Sequence, residues 1–369
     1  MHYLRLTIAF STGILLLTSC NAGDRGFADN SSQALTNDST QLATASSQDA
    51  SALGNFVAAR RLAWEAAVMV QRPPHPVETW QTARVKWRQA MSRLDAIPQG
   101  TSVSAQAKEK MAVYQLNYAA INDRLTTETT AVEQFKAAQT LAWQAAVTVQ
   151  KPPHSLKIWQ RASSKWQAAI ASLEAIPPTT AIASQSQAKL INYRSNYSAI
   201  NQRLQTENQA LLTLKQFSET AARLRSVPDN LYQANLPPQQ IGVAYEDYTR
   251  LVQGLQQSFR QLATQPDARN HPTYPVLLAA IEDHQVVIKL WKAYREFKAA
   301  NTQWLYDDVF DQLVPVSLTD AAMLEQKYGL KTYSGGTKVS LRYSAWAIWQ
   351  KNSQQLQQAQ QKLLSLNAR

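Results

Sequence analysis

Sulfur, glycine and long apolar stretches are scarce in this chain. One cysteine occurs in 369 residues, so no intrachain disulfide and no cysteine-rich metal site is available. Ten glycines and few β-branched runs leave little material for tight hairpins or a large sheet. Five histidines and no phosphate loop or zinc-ligand spacing remove the usual signatures of metal and nucleotide chemistry. Abundant alanine, leucine and glutamine instead predict an all-α protein, long enough to bury one sizeable core or several small ones.

The charge is one-sided. Of the formal +11, residues 51–215 carry +10, residues 216–369 carry +3, residues 1–19 carry +1 and residues 20–50 carry −3. A basic repeat region can attract anionic lipid, acidic polymer or nucleic acid. The plainer reading is a solvated helical surface with excess Lys and Arg. No nucleic-acid reading motif accompanies the charge, so DNA or RNA is not expected as a partner.

Long apolar stretches are confined to the N-terminus. "MHYLRLTIAFSTGILLLTSC" has Arg5 followed by an apolar run to Leu17, too short and too early for a comfortable membrane span, and reads as an export signal over 1–19. Leu17-Thr18-Ser19-Cys20 also resembles the lipobox of bacterial lipoproteins. That resemblance extends from Met1 to Cys20 and no further. It implies cleavage before Cys20, acylation of that cysteine, and an extracytoplasmic chain held to the membrane by its own lipid. Asn21 rather than Asp follows the cysteine, which by analogy with Gram-negative sorting favours the outer membrane. Residues 20–50 are rich in Ser, Asn, Asp, Thr and Gln and are expected to form a disordered tether of about 30 Å mean reach.

The strongest signal is internal. "LAWEAAVMVQRPPH" at 62–75 returns as "LAWQAAVTVQKPPH" at 141–154. Trp64, Trp80 and Trp87 return as Trp143, Trp159 and Trp166, at the same offset of 79 in sequence number and without insertion. Each copy contains three apolar stripes at helical spacing: Phe56, Ala59, Ala63, Ala66 and Val70; Trp80, Ala83, Trp87, Ala90 and Leu94; Tyr114, Tyr118, Ile121 and Leu125. Pro73-Pro74 and Pro152-Pro153 end the first segment, and Pro98, Gly100, Pro177 and Pro178 separate the second from the third. No Gly or Pro interrupts Thr101 to Lys151 or Thr179 to Val227, so the third segment of one copy is expected to continue into the first of the next. This is similar to the spectrin-type arrangement in architecture, with a tetratricopeptide-like stack of hairpins as runner-up. The organisation expected is repeat one over 51–130, repeat two over 131–214 and a C-terminal helical bundle over 215–369. The Trp-, Gln- and Ala-rich style, with its W-x6-W helices, is similar to uncharacterised cyanobacterial repeat proteins and implies no activity.

Candidate sites are few. His75 and His154 follow the prolines at a helix corner without a second ligand beside them, so they read as architecture. The tryptophan stripes read as core. Arg84, Lys86 and Arg88, with Lys157, Arg161 and Lys165 in copy two, form a candidate contact surface for lipid headgroups or cell-wall polymer. His284 falls on the apolar stripe of "IEDHQVVIKLW" and reads as a hydrogen-bonded core residue. "DDVFD" matches the DDxxD pattern of isoprenoid synthases, which would assign magnesium to Asp307, Asp308 and Asp311. No second acidic motif accompanies it and the chain reads as exported, so an acidic turn or weak calcium binding is preferred. The resulting expectation is a lipid-anchored spacer or docking module of the cell envelope, without catalysis or cofactor, whose partner is a protein or cell-wall polymer. The alternative is an extracytoplasmic ligand-binding protein or enzyme with its site in the C-terminal region.

Overall fold

The computed structural model describes residues 38–233, 243–300 and 312–367. The signal segment, Cys20 and the aspartates Asp307, Asp308 and Asp311 lie outside the described residues. The protein is all-α, with one small sheet.

Bundle one is built from α1 (Asp38–Met69), α2 (Val77–Asp95) and the first half of α3 (Ser104–Thr148). Helix α1 starts at Asp38, inside the segment read as tether, and Asp49 accepts hydrogen bonds from the Ser102 amide at 2.7 Å and hydroxyl at 2.8 Å. Helix α2 buries the expected stripe of Trp80, Ala83, Trp87, Ala90 and Leu94. Its alanines let α1 approach closely, and its indoles fill the space between α1 and α3. Consequently α2 packs along both neighbours, whereas α1 and α3 meet at few points.

At 45 residues, α3 is about 68 Å long and belongs to two bundles. Its first half buries Ala107, Tyr114, Ile121 and Leu125, and its second half buries Ala131, Ala138, Ala142 and Ala145. Counted at helical pitch, the two stripes differ by roughly a third of a turn, so the second bundle lies on a different side of the shared helix. Bundle two adds α4 (Leu156–Glu174) and the start of α5 (Ala183–Gln233), repeating the core as Trp159, Ala162, Trp166, Ala169 and Leu173. The corners match: Pro73-Pro74 and Pro152-Pro153 are both cis, preceded by Arg72 and Lys151 at φ 58° and 59°.

The repeat does not stop where its identities fade. Ala210, Leu214, Phe217, Ala221 and Leu224 stand one repeat after Ala131, Phe135, Ala138, Ala142 and Ala145, and all five are buried on the second half of α5. Against them pack α6 (Tyr245–Ala263) and α7 (Tyr274–Ala300). Helix α6 buries Tyr248, Leu255, Ser258 and Leu262 at the spacing of Trp80, Trp87, Ala90 and Leu94, and Pro266 follows Leu262 as Pro98 follows Leu94. A third, diverged copy thus forms the core of the C-terminal region. After α8 (Leu318–Tyr328), helix α9 (Leu341–Asn367) packs along both α5 and α7 and turns this copy into a four-helix unit.

Strands β1 (Leu313–Pro315), β2 (Thr332–Tyr333) and β3 (Lys338–Ser340) make an antiparallel sheet in the order β1-β3-β2, pairing Val314 with Val339 and Thr332 with Val339. The sequence reads 328–337 as a loop, and strands of two or three residues carry no period to detect. Gly335 and Gly336, at φ 68° and 88°, make the reversal between β2 and β3.

Candidate functional site

The two Pro-Pro-His corners are stacked around their tryptophans. His75 Nε2 lies 2.9 Å from the Gln71 carbonyl, its ring meets Trp80 edge-on at 5.7 Å, and Trp80 Nε1 donates to the His75 carbonyl at 3.0 Å. The Arg124 guanidinium covers the Trp80 ring at 5.5 Å. In bundle two, His154 meets Trp159 at 5.5 Å and Arg203 covers that ring at 5.7 Å. No metal-binding group of His, Asp and Glu is present among the described residues.

Those same arginines join successive bundles. Arg124 donates to Glu128 Oε1 at 2.8 Å and to the Thr179 carbonyl, while the other oxygen of buried Glu128 accepts the Ala181 amide at 3.0 Å. Helix α3 is thereby fastened to the loop before α5. One repeat further on, Arg203 pairs with Glu207 at 2.9 Å, and Glu207 Oε2 accepts from His271 Nε2 at 3.0 Å. The Thr273 amide donates to His271 Nδ1, so the ring proton sits on Nε2 and points at Glu207. Asp49, Glu128 and Glu207 hold the same place in successive repeats, and each ties a helix to the loop of its own bundle or the next.

In the C-terminal unit, His284 is sealed in the core. Trp349 Nε1 donates to the Tyr248 hydroxyl at 3.1 Å, and that hydroxyl lies 2.8 Å from His284 Nδ1. Burial pushes His284 down to about 4 and raises Tyr248 far above its ordinary range. The neighbouring Asp283 is also buried; its Oδ1 accepts from Lys327 Nζ at 2.7 Å and from the Tyr328 hydroxyl. Burial is the main reason that Tyr328 is pushed up to about 12.

Because the folded-state pKa of His284 lies below its unfolded value of 6.5, protonation favours the unfolded chain. The neutral ring's contribution is complete above pH 6.5 and is lost progressively as pH falls toward about 4. A stability loss of about 2 kcal/mol from this residue is expected by pH 5, read as denaturant midpoints across pH. The same series on His284→Gln should lack that component; an unchanged profile would remove His284 as its source.

The six basic candidates do not behave as one surface. Lys86 Nζ is bonded to Glu65 Oε2 at 2.6 Å, and its repeat equivalent Lys165 to Gln144 Oε1 at 3.1 Å, each fastening neighbouring helices. Arg84 is half-buried, whereas Arg88, Lys157 and Arg161 are exposed.

Sequence reasoning missed what two tryptophans do. Trp80, Trp87, Trp159 and Trp166 are core as expected, but Trp64 and Trp143 are 66% and 67% exposed. Around helix α1 the core stripe is Ala52, Phe56, Ala59, Ala63 and Ala66; Trp64 lies on another face, with exposed Leu53, Val57 and Val68. Val68 and Val147, one turn beyond each tryptophan, are both 40% exposed. The signal was legible: neither tryptophan falls on the apolar stripe of its segment. Compared with protein families, with curated proteins and with solved structures, the chain matches none.

Proposed function

We propose that this chain is a lipid-anchored, extracytoplasmic helical-repeat protein that serves the cell envelope as a spacer and docking module. The observation that carries the docking half is the pair Trp64 and Trp143, equally exposed at equivalent positions of two bundles. A tryptophan two-thirds in water adds little to folding, yet it offers a large rigid contact area to a partner. Its exposed neighbours differ between the copies: Arg60 and Arg61 correspond to Gln139 and Thr140. The unbroken 45 residues of α3 and the Arg124–Glu128 fastening support the spacer half, because they hold successive bundles at a fixed separation. The lipobox at Leu17–Cys20 supports the anchor. The alternative, a ligand-binding protein or enzyme centred on the C-terminal region, finds His284 and Asp283 already employed in core hydrogen bonds.

Metabolic labelling with radioactive palmitate tests the anchor. The native chain is expected to carry label and to fractionate with membranes, and Cys20→Ala to lose both. Persisting label in Cys20→Ala, or a native chain recovered unlabelled from the soluble fraction, would overturn anchorage at this residue.

A further inference from the structure

The third copy shows what the first two leave open. In it, α9 lies against both α5 and α7, the counterparts of α1 and α3 in bundle one. On α5 the side chains facing this helix across a shallow cleft are Ser218, Ala221, Ala222 and Arg225, opposed by Ser353 and Leu356 of α9. Leu356 is 1% exposed and sits in one apolar cluster with Ala221. Counting back by the repeat offset, those four α5 positions are Gln139, Ala142, Trp143 and Ala146 in bundle two, and Arg60, Ala63, Trp64 and Ala67 in bundle one. The exposed tryptophan therefore stands where α9 runs in the third unit. Helices α1 and α3 meet at few points, as α5 and α7 do in the third unit where α9 covers them. Buried Ala63 and Ala142 precede the exposed tryptophans on these faces, and a helix of the same chain covers the equivalent face of the third unit.

We infer that the grooves edged by Trp64 and Trp143 each receive an amphipathic helix of a partner protein, seated as α9 is on the third copy. Helix-in-groove recognition needs an apolar stripe at three- and four-residue spacing, which α9 itself supplies through Leu341, Ala345, Ile348 and Leu356. Charge selects the flanks. Residues 51–215 carry +10; Arg60 and Arg61 sit one turn before Trp64, and exposed Lys136 sits two turns before Trp143. The partner helix is therefore acidic beside its apolar stripe. Tryptophan is the residue type that most often dominates such contacts when a partner covers it, so Trp64 and Trp143 are the anchors.

The inference rests on the docking reading, and its test needs no membrane, so a failure here leaves anchorage at Cys20 untouched and the palmitate result leaves the grooves untouched. The probe is a fluorescein-labelled peptide of roughly 25 residues, with Leu and Ala on one helical face and Glu on the flanks. Controls are its scrambled sequence and a version with Lys flanks. Titrated with the full-length chain, the Glu-flanked peptide is expected to show saturable anisotropy and to gain helical circular dichroism; neither control should. The double variant Trp64→Ala/Trp143→Ala should weaken binding by about tenfold or more while its melting curve stays that of the native chain. Equal binding by the double variant, or no preference for the Glu-flanked peptide, would overturn the inference. So would tryptophan-dependent binding to phosphatidylglycerol vesicles without peptide binding, which would assign the faces to lipid. Self-association lost in the double variant, again without peptide binding, would assign them to a second copy and overturn it equally.

Discussion

Trp87→Ala is expected to destabilise bundle one by about 3–5 kcal/mol, the range for truncating a buried aromatic side chain to alanine. The indole is 5% exposed, meets Tyr114 edge-on at 5.1 Å, and belongs to the cluster that joins α1, α2 and the first half of α3. Because α1 and α3 are spaced by the indoles of α2 and barely touch each other, truncation leaves a cavity that neither helix can close without abandoning the alanine contacts between α1 and α2. Trp166→Ala should act alike on bundle two, where the same ring meets Tyr193 at 5.2 Å. Native-state hydrogen exchange is the appropriate readout, since repeat arrays need not unfold in one step. Protection should fall over α1, α2 and the first half of α3 and persist over α4. Trp64→Ala, on the exposed face of α1, should move stability by no more than about 0.5 kcal/mol. Similar losses from Trp64→Ala and Trp87→Ala would contradict the division into core and exposed tryptophans.

The second large effect is expected at Glu128→Ala, at about 3 kcal/mol. Glu128 is 1% exposed and has both oxygens committed, one to Arg124 and one to the Ala181 amide. Removing it leaves a guanidinium held over Trp80 without its counter-ion and a loop amide without its acceptor. The cost of a broken buried pair lies chiefly in those stranded groups rather than in the lost attraction. Arg124 is partly solvated, with its side chain 23% exposed, which keeps the figure at the lower end for such pairs. Glu128→Gln keeps the shape and one acceptor and should recover part of the loss. Since the fastening runs from α3 to the loop before α5, exchange protection over 179–186 should fall before that of the bundle cores. Protection lost first from α2, with the 179–186 segment intact, would show that Glu128 serves bundle one alone.

Much of this fold was legible because it is written in local rules. The paired prolines at 73–74 and 152–153 remove consecutive backbone donors and end a helix by local chemistry, and the stretch from Thr101 to Lys151 has no Gly or Pro to break one long helix. Stripe positions such as Ala59, Ala63 and Ala66 were assigned to the core from spacing alone and are buried. The third copy was not legible in the same way. It preserves apolarity but not size at positions such as Leu214 and Phe217, which replace Phe135 and Ala138, and only the folded chain shows that α6 and α7 complete the same three-helix arrangement. The β1-β3-β2 sheet escaped because its strands are held by partners distant in sequence, Leu313 opposite Ser340, and not by any run of their own.

The candidate site divides along the same line. The periodicity of segment one already excluded Trp64 and Trp143 from the helix stripe, which is a statement about angle around one helix. How the faces beside them are left uncovered depends on how far the indoles of α2 hold α1 from α3, and that α9 covers the equivalent face of the third unit depends on a contact between segments far apart in the chain. The sequence by itself determined the helical class, the repeat length, the corners and the off-stripe phase of those two tryptophans, because each follows from backbone chemistry and a short-range period. Tertiary structure alone decided that Lys86 and Lys165 are fasteners, that Tyr248 is the partner of His284, and that two bundles carry an open face where the third is covered. Those outcomes depend on the distance between helices, which is set by the volumes of side chains packed from different segments and which no local period encodes.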